Sequence, residues 1–84
     1  MLDKTAALLD EREKTHGDYR RVSEIAQDLK AVIRDAEWEG LTNMQRESLD
    51  LIMTKVARII SGDSACLDHW TDISGYALLP TRFS

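Results

Sequence analysis

Residues 19–37 read YRRVSEIAQDLKAVIRDAE, and this stretch decides the fold class. Its apolar side chains recur at three- and four-residue spacing, and they fall within an arc of about 120° on a helix that turns about 100° per residue. That apolar set consists of Val22, Ile25, Ala26, Leu29, Val32, Ile33 and Ala36. The pattern predicts a long amphipathic α-helix with one face against a core.

Glycine and proline positions divide the rest of the chain into segments of helical length. The first three glycines are Gly17, Gly40 and Gly62, and the single proline is Pro80. Each interval between these glycines holds one ordinary helix and a turn, and Gly40 and Gly62 are expected to end helices. An all-β chain of this length would carry several times more glycine and proline, so an all-β fold is strongly disfavoured.

Four helices are predicted on this basis, at residues 2–14, 19–37, 43–60 and 66–79. Asp18 and Thr42 stand directly before the second and third helices, where a side-chain oxygen can cap free backbone N–H groups. Pro80 is expected to stop the fourth helix, because proline lacks a backbone N–H. The prediction is one all-α domain over residues 1–84, built as a small four-helix unit.

Charge and size limit the functions open to the chain. Its 84 residues carry 11 lysines and arginines against 15 aspartates and glutamates, a net charge of -4. Bulk nucleic acid and anionic membranes need a basic surface, so both are disfavoured as partners. A lone cysteine and the absence of a signal-peptide pattern lead us to expect a cytoplasmic protein. A core this small stabilises a monomer only weakly, which favours a homodimer.

Two carboxylates on the fourth helix are candidate metal ligands. Asp68 and Asp72 are four residues apart, so they project from one side of the helix and repel each other. Mg²⁺ would relieve that repulsion, because it is commonly held by one or two carboxylates together with substrate phosphates. Glu47 or Asp18 from a neighbouring helix would complete such a site. Two other interpretations are open: Asp68 caps the helix start while Asp72 is solvated, or the carboxylates pair with a cation of the third helix.

A lysine and an arginine on the third helix are candidate phosphate ligands. Lys55 and Arg58 are three residues apart, and an ammonium and a guanidinium at that spacing can hold a phosphate group. The same two cations could instead form an ion-pair network with Asp68 and Asp72. Both interpretations place the third helix beside the fourth.

The turn His16-Gly17-Asp18-Tyr19 brings several polar groups to the start of a helix. Free backbone N–H groups at such a start favour an anion, which makes His16 a candidate nucleotide contact. Tyr76, one helical turn beyond Asp72, is a further candidate. The simpler interpretation is a capping turn, because glycine and aspartate are common in turns for backbone reasons.

Gly75 lies inside the predicted fourth helix, between Asp72 and Tyr76. Glycine in a helix interior costs about 1 kcal/mol relative to alanine. Its presence predicts that another backbone, or a ligand, approaches the helix closely at this point.

These motifs together resemble the signature of one protein family. Gly17 and Asp18, residues 55–59 (KVARI) and residues 68–77 (DHWTDISGYA) are similar to its Y-G-D, K-x-x-R-I and D-x-W-x-D-I-x-G-Y-A elements. The family consists of short helical proteins encoded by phages and prophages, and the resemblance runs from about residue 11 to residue 79. His16 stands where that family usually carries tyrosine or another aromatic residue. The resemblance implies a phage-type protein that works in the cytoplasm of a bacterial host.

A more distant resemblance connects the acidic closing helix to the MazG-type, all-α nucleoside-triphosphate pyrophosphohydrolases. Those enzymes hold Mg²⁺ through an E-x-x-E helix and a later E-x-x-D helix, and they split a nucleoside triphosphate into a monophosphate and pyrophosphate. The present chain departs from that pattern, because Glu24 and Asp28 are four residues apart in the second helix and the closing helix reads D-x-x-x-D.

Two functions are therefore expected. The first is a small phage-type accessory protein that binds a host or phage protein through its helical surface and has no catalytic activity. The second is a Mg²⁺-dependent nucleotide-binding protein or pyrophosphohydrolase. In the second case Lys55, Arg58, His16 and Tyr76 would contact the nucleotide, and the metal ligands would be Asp68, Asp72, Glu47 and Asp18. The incomplete acidic set slightly favours the first.

Overall fold

The computed structural model describes residues 2–83, with side chains from residue 4 onward. It contains four α-helices: α1 (Leu2–His16), α2 (Tyr19–Arg34), α3 (Asn43–Ser61) and α4 (Leu67–Arg82). A short 3₁₀ helix, Trp38–Gly40, lies between α2 and α3. The described range contains no β-strand. The predicted all-α four-helix fold is confirmed.

Two helix starts are capped as the sequence predicts. The Asp18 carboxylate accepts a hydrogen bond from the backbone N–H of Arg20 at 2.9 Å. At the start of α3, the Thr42 hydroxyl oxygen accepts from the N–H of Gln45 at 3.1 Å. The Gln45 side chain in turn accepts from the N–H of Thr42 at 2.9 Å, which completes a capping box. Local chemistry at these two positions therefore sets where α2 and α3 begin.

The end of α2 comes earlier than predicted, at Arg34 rather than at residue 37. The chain tightens after Arg34, because the N–H of Asp35 bonds to the carbonyl of Val32. Arg46 of α3 then donates hydrogen bonds to the carbonyls of Trp38 at 3.2 Å and Glu39 at 2.9 Å. Arg46 of α3 thus supplies hydrogen-bond donors to carbonyls of the 3₁₀ segment. These carbonyls do not need donors from a continued α2 helix.

The prediction that Pro80 stops the fourth helix is wrong. α4 continues through Pro80 to Arg82. A proline so close to a helix end removes a single backbone hydrogen bond, to the carbonyl four residues earlier. The loss of this one hydrogen bond does not end the helix, which extends two residues beyond the proline.

α3 is the central helix, with α4 and α2 as its main neighbours and α1 packed on it less extensively. The core lies between α2 and α3, where Val22, Ala26 and Ala57 are buried and Ile25 packs against them. Small side chains at two of these positions let the two helix backbones come close. This arrangement leaves α1 and the outward side of α4 with few neighbours.

The surface of the chain is large for its size. Its accessible area is 6341 Å², whereas a compact monomer of 9.6 kDa is expected to expose about 5,100 Å². Its radius of gyration is 14.6 Å, against about 12 Å for a compact domain of this length. The fold is thus elongated and leaves apolar surface uncovered. None of the described helices is long and apolar enough to cross a bilayer.

Candidate functional site

The α1–α2 turn crosses the end of α3 with the two backbones in direct contact. Gly17 has φ +84°, and a Cβ built on it would lie 2.7 Å from the Cβ of Ser61. A Cβ on Gly62 would lie 2.6 Å from the backbone nitrogen of Gly17, and it would also overlap the carbonyl of Thr15. Real Cβ atoms do not approach other atoms this closely, so both positions require glycine. We call this contact the glycine crossing.

A backbone carbonyl of α1 organises the groups around the glycine crossing. The Thr15 carbonyl oxygen accepts from the N–H of Asp63 at 3.1 Å and from Nε2 of His69 at 2.9 Å. A carbonyl can only accept, so Nε2 of His69 carries a proton. This one oxygen therefore joins the end of α1, the α3–α4 connection and the first turn of α4.

His69 is fully buried and packs edge-on against His16. The ring centroids are 4.6 Å apart and the ring planes meet at 88°; His69 has no exposed area. Nδ1 of His69 is buried without a hydrogen-bond partner among the described residues. Burial lowers the pKa of His16, and the neighbouring His69 and Arg58 lower that pKa further. The pair thus favours the neutral form of His16.

An ion pair joins α3 to α4 close to the two histidines. Lys55 Nζ lies 2.7 Å from a carboxylate oxygen of Asp72; the lysine side chain is only 10% exposed and the aspartate side chain 42%. The hydrogen bond from Lys55 lowers the pKa of Asp72 below its usual range. A buried ammonium needs a paired anion, whereas water reaches the carboxylate. The main effect of the pair is therefore that Asp72 stabilises the buried charge of Lys55.

A cleft of about 340 Å³ opens beside the turn, between the end of α1, the start of α2 and Arg58 of α3. We call it the α1–α2 cleft. Leu9, Tyr19 and Val22 supply apolar surface to it. Its charged lining consists of Arg12, Arg20, Arg58, Glu13 and Asp18. The cleft carries a local excess of positive charge on an acidic chain.

The predicted nucleotide contacts are only partly brought together. His16 and Arg58 both line the α1–α2 cleft, and the ion pairs within residues 2–83 do not include Arg58. Lys55 is instead held by Asp72. Tyr76 is half-buried on α4 and is not one of the residues that line the cleft. Two of the four candidates thus share one cleft.

The predicted Mg²⁺ ligand set does not form. Within the described part of the chain, no three His, Cys, Asp or Glu side chains lie close enough together to hold a metal ion. Asp18 pairs with Arg20 at 2.8 Å and Asp72 with Lys55, while Glu47 and Asp68 are exposed on α3 and α4. Each of the two paired aspartates contacts a cation and not a second carboxylate.

Sequence motifs did not identify three participants in this arrangement: Thr15, Gly62 as a contact residue, and His69. Thr15 acts through its carbonyl, which no side-chain pattern reveals. His69 did leave a signal, because it stands four residues before Ile73 on the side of α4 that turns inward. A histidine at that spacing within an apolar stripe indicates a buried ring with a fixed hydrogen bond.

Comparison with known proteins places the chain by family alone. A protein-family model described as a domain of unknown function (DUF6378) matches residues 1–84. No curated protein and no solved structure matches the chain significantly. Since the match covers the sequence from end to end, this chain belongs to the DUF6378 family.

Proposed function

We propose that this chain is a non-catalytic, phage-type binding protein that recognises another protein through its helical surface, with α1 as the main contact. The observation that carries this proposal is the exposure of α1. Every residue from Lys4 to Lys14 is exposed, and Leu8 and Leu9 are 54% and 60% exposed. A helix that leaves both leucines in water has an apolar surface available for a partner.

The attachment of α1 supports the same function. α1 is held at its C-terminal end, where Thr15 and Gly17 join the glycine crossing and the Thr15 carbonyl bonds to Asp63 and His69. A 15-residue helix is marginal in water without tertiary packing. Burial of its leucines in a groove of another protein would supply that packing, which is the usual mode by which amphipathic helices are recognised.

The test is native mass spectrometry of the tagged chain, isolated under mild conditions from the cells that naturally contain it. The proposal predicts a second protein species in fixed stoichiometry with the wild-type chain. Leu8→Glu should lose that species with an unchanged circular dichroism spectrum, because Leu8 is exposed. Lys14→Glu, an exposed position on the same helix about 120° around it from Leu8, is the matched control and should keep it. A wild-type chain that carries no other protein, or a Leu8→Glu variant that retains it, would contradict the proposal.

A second candidate function, nucleotide binding, is favoured by one observation in the α1–α2 cleft. Arg58 and Arg12 line this cleft together with His16 and apolar Leu9. Guanidinium groups with no internal carboxylate partner suit phosphate, and the apolar lining suits a base. We propose that such binding uses these cations directly and needs no protein-bound metal, because no three side chains of the predicted metal set lie together in the described part of the chain.

Thermal shifts with a panel of nucleoside triphosphates test this second candidate. One nucleotide class should raise the melting temperature both with Mg²⁺ and with a chelator present. Arg58→Met should abolish the shift, while Arg21→Met, which removes an exposed arginine paired with Glu24 on α2, should not. The candidate fails if no nucleotide shifts the wild-type chain.

A further inference from the structure

The outward face of α4 carries large apolar side chains that the chain does not cover. Leu67 is 78% exposed and Leu78 is 63% exposed. They are eleven residues apart, which is about three helical turns, so both project from the same side of α4. The opposite side of α4 carries His69 and Ile73, which turn toward the body of the protein. We call the exposed side, with Thr71 and Ser74 between the two leucines, the α4 outer face.

The α4 outer face is complementary to itself in the antiparallel direction. Leu67 stands near its beginning and Leu78 near its end, so a second α4 running the other way places each leucine opposite the other. The same reversal sets Thr71 opposite Ser74. A two-fold interface requires this property, because each surface patch must fit its own copy.

Charge follows the same antiparallel symmetry. The first turn of α4 carries the acidic residue Asp68 and the last turn carries the basic residue Arg82. Both are exposed. An antiparallel neighbour brings the Asp68 end of one helix to the Arg82 end of the other, on the same edge of the contact. A parallel neighbour would instead bring like charges together, which is unfavourable.

The area left uncovered is of the size that a dimer needs. The chain exposes 6341 Å², roughly a quarter more than a compact monomer of its mass. A standard protein interface takes about 800 Å² from each partner. The surplus of the whole chain is therefore large enough to hold an interface of that size.

From these observations we propose that the chain forms a two-fold homodimer in which the α4 outer faces pack antiparallel, with Leu67 of one copy against Leu78 of the other. The α1 helix stays free for a different protein, so the dimer stands independently of the proposed partner of α1.

Sedimentation equilibrium of the purified chain tests the dimer in the absence of any other protein. The wild type should have twice the monomer mass of 9.6 kDa at micromolar concentration. Leu78→Glu should weaken dimerisation at least tenfold, and Leu67→Ser provides the same test at the other end of the contact. Val32→Glu is the matched control; Val32 is 70% exposed on α2, outside the α4 outer face, so its substitution should leave the mass unchanged.

A charge exchange tests the antiparallel orientation. Asp68→Arg and Arg82→Asp should each weaken the dimer, and the double variant should restore it. A monomeric wild type would overturn the proposal. A dimer that survives Leu78→Glu and Leu67→Ser, or one that the double variant fails to restore, would overturn it as well.

Discussion

The imidazole rings of His16 and His69 meet edge to face, with centroids 4.6 Å apart, at the point where α1, α3 and α4 converge. His69 is fixed there by its hydrogen bond to the Thr15 carbonyl. Burial lowers the pKa of His16, and the neighbouring His69, Arg58 and Lys55 lower that pKa further. From this relationship we predict that the stability of the fold depends on pH.

The first prediction concerns the thermal stability of the fold at acidic pH. Because the pKa of His16 in the folded chain lies below its ordinary value of 6.5, the unfolded chain binds the proton more readily. The stabilising contribution of neutral His16 is therefore complete above pH 6.5 and is lost as the pH falls through the lowered folded pKa. Melting temperatures measured from pH 7.5 down to 5 should decline. The His16→Tyr variant keeps a ring but cannot titrate in this range, so its decline should be smaller; an equal decline would contradict the role given to His16.

The second prediction concerns the glycine crossing. Gly17→Ala forces a left-handed backbone on alanine and meets Ser61, while Gly62→Ala meets the backbone of residues 15 and 17. Each should lower the free energy of unfolding by more than about 2 kcal/mol. Gly40→Ala is the matched control, because nothing lies within 4 Å of a Cβ at that position. Urea unfolding of the three variants measures the difference, and similar losses at positions 17 and 40 would argue against the crossing.

The third prediction concerns Gly75 and corrects an expectation from the sequence. The mid-helix glycine predicted that another backbone, or a ligand, approaches α4 closely, yet a Cβ built at Gly75 meets no described protein atom within 4 Å. Alanine at this position therefore gains helix propensity without a clash. Gly75→Ala should raise the free energy of unfolding by about 0.5–1 kcal/mol. A loss of stability in the same urea measurement would show that something outside the described chain approaches there.

The parts of the fold that sequence predicted well are those that depend on near neighbours. The amphipathic pattern of residues 19–37 and the caps at Asp18 and Thr42 each act within a few positions, and the structure confirms the helices they begin. The continuation of α4 through Pro80 was not predicted, because the stability that a helix loses at a proline depends on how close the proline is to the end of the helix. The end of α2 was missed because Arg46 bonds the 3₁₀ segment from another helix.

The candidate site was less predictable because its contacts join residues that are far apart in the chain. The residues next to Gly17 in the sequence do not show that Gly17 contacts Gly62. A backbone carbonyl such as that of Thr15 is not part of any side-chain motif. The pairing of Lys55 with Asp72 was one of the alternatives that the spacing allowed, but only the packing of α3 on α4 selects it. Helical register alone could not decide between a cation and a metal ion opposite Asp72.

Lys55 and Asp72, the paired charges of the signature, are proposed to hold α3 and α4 together. Lys55 is buried and Asp72 is half-exposed, so the two partners should respond unequally to substitution. Asp72→Asn leaves a buried ammonium without its anion, whereas Lys55→Met leaves a carboxylate that water can solvate.

The most direct test is thermal unfolding of Asp72→Asn and Lys55→Met beside the wild type, with and without nucleoside triphosphates. We predict that both variants melt below the wild type and that Asp72→Asn shows clearly the larger drop. If both variants melt at the wild-type temperature and lose only a nucleotide-dependent shift, the structural role of the pair is contradicted, because the pair would then be a ligand site.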